Sequence, residues 1–193
     1  MAPAQTSRNQ TEEAFLDAAE RLLIDVGHAG VTTRSLAQAA NANQGLVHYY
    51  FGSMENLLAR VLERFTDRLI ARQRAMYAAT DVPFADKWRT AMRYLDADRD
   101  YQKIWFELQA LAWNRPELRE RVAHVNAEWR AVLTEALAEP HERYRVAMPL
   151  DAFVSLVITF NIGIIHERLS GIRTGHAELI EWTESWLAER DRA

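Results

Sequence analysis

No stretch of this chain alternates apolar and polar residues long enough to make a strand. Where apolar residues recur, they recur at helical spacing, and that settles the class of fold. Phe15, Ala18, Ala19, Leu22, Leu23 and Val26 fall three and four apart, and Gly27 then suits a left-handed stop. Only 7 Gly and 5 Pro punctuate the 193 residues, and they divide the chain into long unbroken segments. The spacing predicts about nine helices, near 9–26, 33–40, 44–51, 53–79, 83–97, 101–113, 116–139, 149–171 and 175–190. Asn9 with Glu12 reads as a capping box for the first, and Ser53 as the cap of the fourth. Asn114-Arg115-Pro116-Glu117 reads as a helix start, and Glu139-Pro140 as the end of that helix. The expectation is an all-α chain, with three short helices in front and a bundle of longer ones behind. The expected division is a front domain over 9–69 and a rear domain over 70–193.

Several chemistries are excluded at this point. There is no cysteine, so disulfides, thiol nucleophiles and cysteine-ligated metals drop out. The histidines (His28, His48, His124, His141, His166, His176) form no His-x-x-x-His or Glu-x-x-His pair, and no metal site is expected. Neither a phosphate-cradling glycine loop nor a nucleophile elbow is present, so no enzyme and no cofactor are expected. Residues 1–10 are polar and do not read as a signal peptide. The longest apolar-dominated run, 153–165, has 13 residues and is short of the ~18 that read as a membrane span. A cytoplasmic protein with no membrane partner is the expectation. Net charge is −4, so a nucleic-acid partner must be argued from a local motif.

Residues 31–51 supply one: Val-Thr-Thr-Arg-Ser-Leu-Ala-Gln-Ala-Ala-Asn-Ala-Asn-Gln-Gly-Leu-Val-His-Tyr-Tyr-Phe. Thr32 or Thr33 can cap a first short helix whose Leu36 and Ala37 face inward. Asn41 stands at the turn, where its tolerance of left-handed geometry is needed, and Asn43 can cap the second helix. Two short helices joined in this way form a helix-turn-helix over 32–51, whose second member lies in the major groove of DNA.

From Thr11 to Phe65 the chain resembles the TetR family of bacterial transcriptional regulators. The resemblance is carried by Asp25-Val26-Gly27, Val31-Thr32-Thr33-Arg34-Ser35-Leu36-Ala37, Gly45-Leu46-Val47-His48-Tyr49-Tyr50-Phe51 and Ser53-Met54-Glu55-Asn56-Leu57-Leu58. It implies a DNA-binding repressor that acts as a homodimer on a palindromic operator and is released by a small-molecule effector. Thr32 and Thr33 then contact phosphate, and Arg34 reaches guanine or phosphate. Gln44 pairs with adenine, Gly45 and Leu46 approach the groove floor, and His48 meets a base edge or phosphate. Tyr49 and Tyr50 buttress the helix and donate hydroxyls to phosphate. Two departures stand out: Met54 occupies a position where many relatives carry lysine, and Gln44 one where many are basic. Residues 1–52 hold three Arg against five acidic residues. A phosphate footprint of about two to four contacts per subunit, with a shallow salt dependence, is therefore expected. The missing lysine also leaves a second reading, a helical small-molecule-binding scaffold whose DNA-binding head has lost function.

Behind the motif, residues 84–113 are rich in aromatics: Phe84, Trp88, Tyr94, Tyr101, Trp105, Phe106 and Trp113. Phe106, Gln109 and Trp113 share one helical face, with Glu107 beside them, and Asn161 interrupts an apolar run after Phe160. Trp88, Met92, Phe106, Glu107, Gln109, Trp113, Phe160 and Asn161 are the candidate lining of an effector pocket. The order Trp105-Phe106-Glu107, then Asn114 to Leu118, is similar to BetI-type members of the family. That similarity implies a quaternary-amine ligand held in an aromatic cage, with Glu107 as counter-charge. The helix around 153–165 is apolar on all sides and the last helix carries a broad apolar face. Phe153, Leu156, Ile165, Leu179, Trp182 and Trp186 are accordingly the candidates for a dimer seam.

Overall fold

A computed structural model describes residues 3–192, with side chains from residue 9 onward; residues 1–8 of the amino-terminal segment read above, and Ala193, lie wholly or partly outside that description. The described residues form nine α-helices and no strand: α1 Pro3–Val26, α2 Thr33–Ala39, α3 Gly45–Phe51, α4 Met54–Tyr77, α5 Phe84–Ala97, α6 Arg99–Ala112, α7 Pro116–Arg143, α8 Leu150–Leu169 and α9 His176–Asp191. A short 3-10 turn, His28–Gly30, which the periodicity does not reveal, joins α1 to α2.

Three expectations are corrected. Asn9 is not a cap but lies inside α1, which begins at Pro3, because nothing between Pro3 and Asn9 breaks a helix once proline has opened its first turn. Pro140 does not end α7, which continues to Arg143. A proline in a helix leaves the carbonyl four residues back without its donor. Here that residue, Ala136, lines an open cleft of about 330 Å³ together with Glu139 and Pro140. Finally, α8 lies within the expected 149–171, but its 20 residues, with mean hydropathy 1.4 over the most apolar window, reach the length and composition of a membrane span, which the 13-residue run did not. Its Val154, Val157, Asn161 and Ile164 are nonetheless buried along one face.

The chain packs as two compact units. The first runs up to Asp67 and takes in Asp100–Val125 as well; the second comprises Arg68–Arg99 and Asn126 onward. In the first, Phe15, Leu23, Leu36, Val47, Leu57 and Leu62 meet Ile104, Leu108 and Leu118 in one core. Ion pairs fasten α1 to α4: Arg60 to Glu12 at 2.7 Å, and Arg64 to Asp17 at 2.8 Å and Glu20 at 2.5 Å. In the second, α5 packs along α9, and Phe84, Trp88, Met92, Leu133, Leu137, Val154, Val157 and Leu187 make the core. Asp191 ties the end of α9 down, accepting from the Ala85 N–H at 2.8 Å and the Tyr144 hydroxyl at 2.5 Å.

Candidate nucleic-acid interface

The helix-turn-helix is held by its own polar side chains. Thr32 caps α2 in a reciprocal box: its hydroxyl accepts from the Ser35 N–H at 3.1 Å, and the Ser35 hydroxyl accepts from the Thr32 N–H at 2.9 Å. Thr-x-x-Ser does this in place of the commoner glutamate, so the capping partner was not legible beforehand. Asn41 takes the left-handed conformation at the turn, φ 50°, and the Asn43 carboxamide accepts from the Gly45 N–H at 2.8 Å. Behind α3, Gly52 turns the chain with φ 71°. Ser53 caps α4 through the Asn56 N–H at 3.1 Å, and the Asn56 amide donates to the Phe51 carbonyl at 2.8 Å. Arg121, which the sequence reading did not single out, braces this corner with two bonds of 2.5 Å to Glu63 and one of 2.7 Å to the Asn56 oxygen.

With the scaffold fixed, α3 has two sides. Val47 and Phe51 are buried, and Tyr50 packs against Phe15 with ring centroids 6.3 Å apart. Leu46 is half-buried on the same core, as is Met54, which therefore sits against apolar neighbours where a lysine would reach outward. Gln44, Gly45 and His48 are exposed, and Tyr49 is 63% exposed, its ring edge-on to Tyr50 at 5.2 Å. The His48 Nδ1 bonds the Gly52 carbonyl at 3.1 Å, which aims its other ring nitrogen away from the backbone. On α2, Arg34 is exposed and Thr33 half-buried. The Thr32 hydroxyl is already engaged with Ser35, so of the two threonines Thr33 has the more available oxygen. Arg34, Gln44, Gly45, His48 and Tyr49 thus present guanidinium, carboxamide, bare backbone, imidazole and phenol from a rigid pair of short helices. These are the groups that read base edges and phosphates.

The candidate pocket residues are divided. Phe106, Glu107 and Gln109 lie on α6 in the first unit, and Trp113, 73% exposed, on the turn after it. Glu107 does not stand as a free counter-charge: it accepts the His28 N–H at 2.6 Å, clamping α6 to the 3-10 turn. Gly27 makes room for this, since a Cβ there would lie 3.0 Å from the Glu107 Oε1. The cage geometry expected around Glu107 is thus replaced by a backbone clamp. Trp88, Met92, Phe160 and Asn161 belong to the second unit, where Trp88 and Phe160 rings are 5.8 Å apart. Tyr77, at the border of the cleft beside Pro140, has its hydroxyl pushed up to about 12 by burial.

The candidate seam residues also differ among themselves. Leu156, Leu179 and Trp182 are 53%, 42% and 63% exposed, and only 22% of the most apolar stretch of α8 is buried. Phe153, half-buried, faces His141 with ring centroids 6.0 Å apart, and Ile165 is half-buried. Trp186 packs inward on Tyr144 at 6.2 Å, under the Arg190 guanidinium at 3.6 Å.

Residues 15–61 match the family model for bacterial regulatory proteins of the tetR family. Over 116 residues the chain is 31% identical to the HTH-type transcriptional regulator BetI of Burkholderia thailandensis, a match covering 58% of this chain and 59% of that protein. The matched segment therefore spans a little under three fifths of this chain and of that relative. Among solved structures, FadR of Bacillus subtilis in complex with stearoyl-CoA superposes with a TM-score of 0.73 at 13% identity, over 91% of this chain and 96% of that one. A transcriptional regulator from Saccharomonospora viridis in complex with choline gives 0.72 at 16% identity, over 94% and 95%. At those identities the likeness is one of fold. Residues 15–61 thus carry a helix-turn-helix segment that matches the tetR family model, and the fold along nearly the whole chain is similar to that of these transcriptional regulators.

Proposed function

We propose that the chain is a ligand-responsive repressor that binds a palindromic operator as a homodimer through α2 and α3. The observation that carries the reading is the contrast on α3: one side is sealed into the core by Val47, Phe51 and Tyr50, while the other offers Gly45, His48 and Tyr49 to solvent, with Gln44 just before the helix and Arg34 on α2. Polar groups displayed on so well-capped a support suit recognition better than stability, since none of the core depends on them. The dimer reading draws on Leu156, Leu179 and Trp182, large apolar side chains left exposed on α8 and α9. An isologous pair through that surface would set two recognition helices on half-sites about 34–36 Å apart, or a multiple of it.

The effector is assigned to the second unit, with Trp88, Met92, Phe160 and Asn161 as its core residues. Ligand and operator then weaken each other's binding by the same factor, as linkage requires. The fold-level neighbours bound to stearoyl-CoA and to choline mark two opposite ligand chemistries within this architecture. The experiment is selection from a pool of random duplexes with the purified full chain. Enrichment of an inverted repeat bound by two chains supports the reading; a pool that stays random leaves the scaffold with an inactive head as the better account.

A further inference from the structure

We propose that the core of the second unit takes a neutral molecule with an apolar tail and a hydrogen-bonding head, and that Trp88 and Asn161 hold that head. This rests on the reading that the second unit receives an effector, and it names that effector's chemistry. Trp88 on α5 is 5% exposed and Asn161 on α8 is 7% exposed. The Trp88 Nε1 and the Asn161 Oδ1 are both shut off from solvent, and neither has a hydrogen-bond partner. Native cores rarely leave even one buried polar atom unpaired, because it has given up water for nothing. Here one is a donor and the other an acceptor.

Both belong to the same core. The Trp88 ring meets that of Phe160, the residue before Asn161, and Val157, one turn earlier on the Asn161 face, packs in the cluster with Trp88 and Met92. Access is suggested by the cleft of about 330 Å³ beside Pro140, which reaches Phe84. Trp88 follows Phe84 by one turn on the same face of α5, roughly 6 Å further along the helix.

Charge decides the class of head group. Among the described residues no Asp or Glu is fully buried. The least exposed carboxylate at this end of the bundle, Asp191, is engaged by Arg143, Tyr144 and the Ala85 N–H. Lys87, at the cleft, donates to the Tyr77 carbonyl at 2.8 Å. A cationic head drawn into this core would lose its hydration and find no free carboxylate, and an anionic head would set a further acceptor against the unpaired Asn161 Oδ1. An amide or alcohol would complete the indole and the carboxamide together.

The test compares two compounds with the same tail, octanamide and octyltrimethylammonium, by calorimetric titration of the full chain without DNA. Octanamide is expected to bind, and Trp88→Phe and Asn161→Leu each to weaken it by about tenfold. Without ligand, Asn161→Leu is expected to melt no lower than the unsubstituted protein, since it removes an unpaired group at similar volume. Asn161→Asp supplies the missing carboxylate and is expected to reverse the preference, so that the cation binds more tightly than the amide. The proposal is overturned if octanamide does not bind, if the cation binds the unsubstituted chain as tightly, or if both Trp88→Phe and Asn161→Leu keep full affinity. Because no DNA is present, failure of the regulator reading would show in the duplex selection and not here.

Discussion

Gly45 shows how a single residue separates folding from function. Its φ is not in the left-handed region, and a Cβ would meet only the Asn43 Oδ1 at 3.4 Å, an ordinary contact. The fold does not need glycine at this position, whereas a backbone pressed against a groove floor does. Gly45→Ala is therefore expected to leave stability unchanged or raise it by up to about 1 kcal/mol in urea unfolding, while weakening operator binding. The adjacent tyrosines divide in the same way. Tyr50→Ala, which removes a ring packed on Phe15, is expected to cost about 2 kcal/mol. Tyr49→Ala, at a side chain 63% exposed, should change stability by less than about 0.5 kcal/mol and act on DNA affinity. The sequence made the pair legible as an aromatic ending to the motif but not the division between them, which depends on where Phe15 lies across the core.

At the level of elements, what was legible is what local chemistry decides. Thr32, Asn41, Asn43 and Ser53 each do in the structure what their residue types suit them for, because caps and left-handed turns involve neighbours within a few residues. Asn9 failed as a cap because α1 already begins at Pro3, and Pro140 failed as a stop because α7 carries through it to Arg143, beside an open cleft. Long-range roles were hidden. Nothing near Glu107 in sequence says that its partner is the N–H of His28, 79 positions away. Glu107→Ala leaves that N–H without its acceptor and is expected to destabilise the chain by about 1–2 kcal/mol, with Glu107→Gln losing less; urea unfolding measures both. The second unit carries a pH signature. Burial raises the hydroxyl pKa of Tyr77, and burial with the Asp191 carboxylate raises that of Tyr144, each from 10.0 to about 12. The folded chain thus favours the protonated phenols. This stability is fully present below pH 10 and is lost as pH rises towards about 12, so phenolate absorbance from these two should appear together with unfolding.

For the whole molecule, the acidic balance that argued against DNA is explained by where the charges lie. Of the five acidic residues in the first 52, Glu12, Glu13, Asp17 and Glu20 are all on α1 and pair with Arg60 or Arg64 of α4. The candidate interface itself carries Arg34 and His48, with Met54 turned to the core. A dimer built of such faces should release few counterions. Its logarithmic affinity should fall with the logarithm of salt concentration at a slope of about −4 to −7, and a slope steeper than about −8 would contradict so small a footprint. The central claim, that these two short helices read sequence, is tested most directly by fluorescence anisotropy on a selected inverted-repeat duplex and a scrambled duplex of equal composition. The account predicts that the selected duplex binds at least about 10³-fold more tightly at physiological salt, with two chains per duplex. Equal affinity for the two would contradict it.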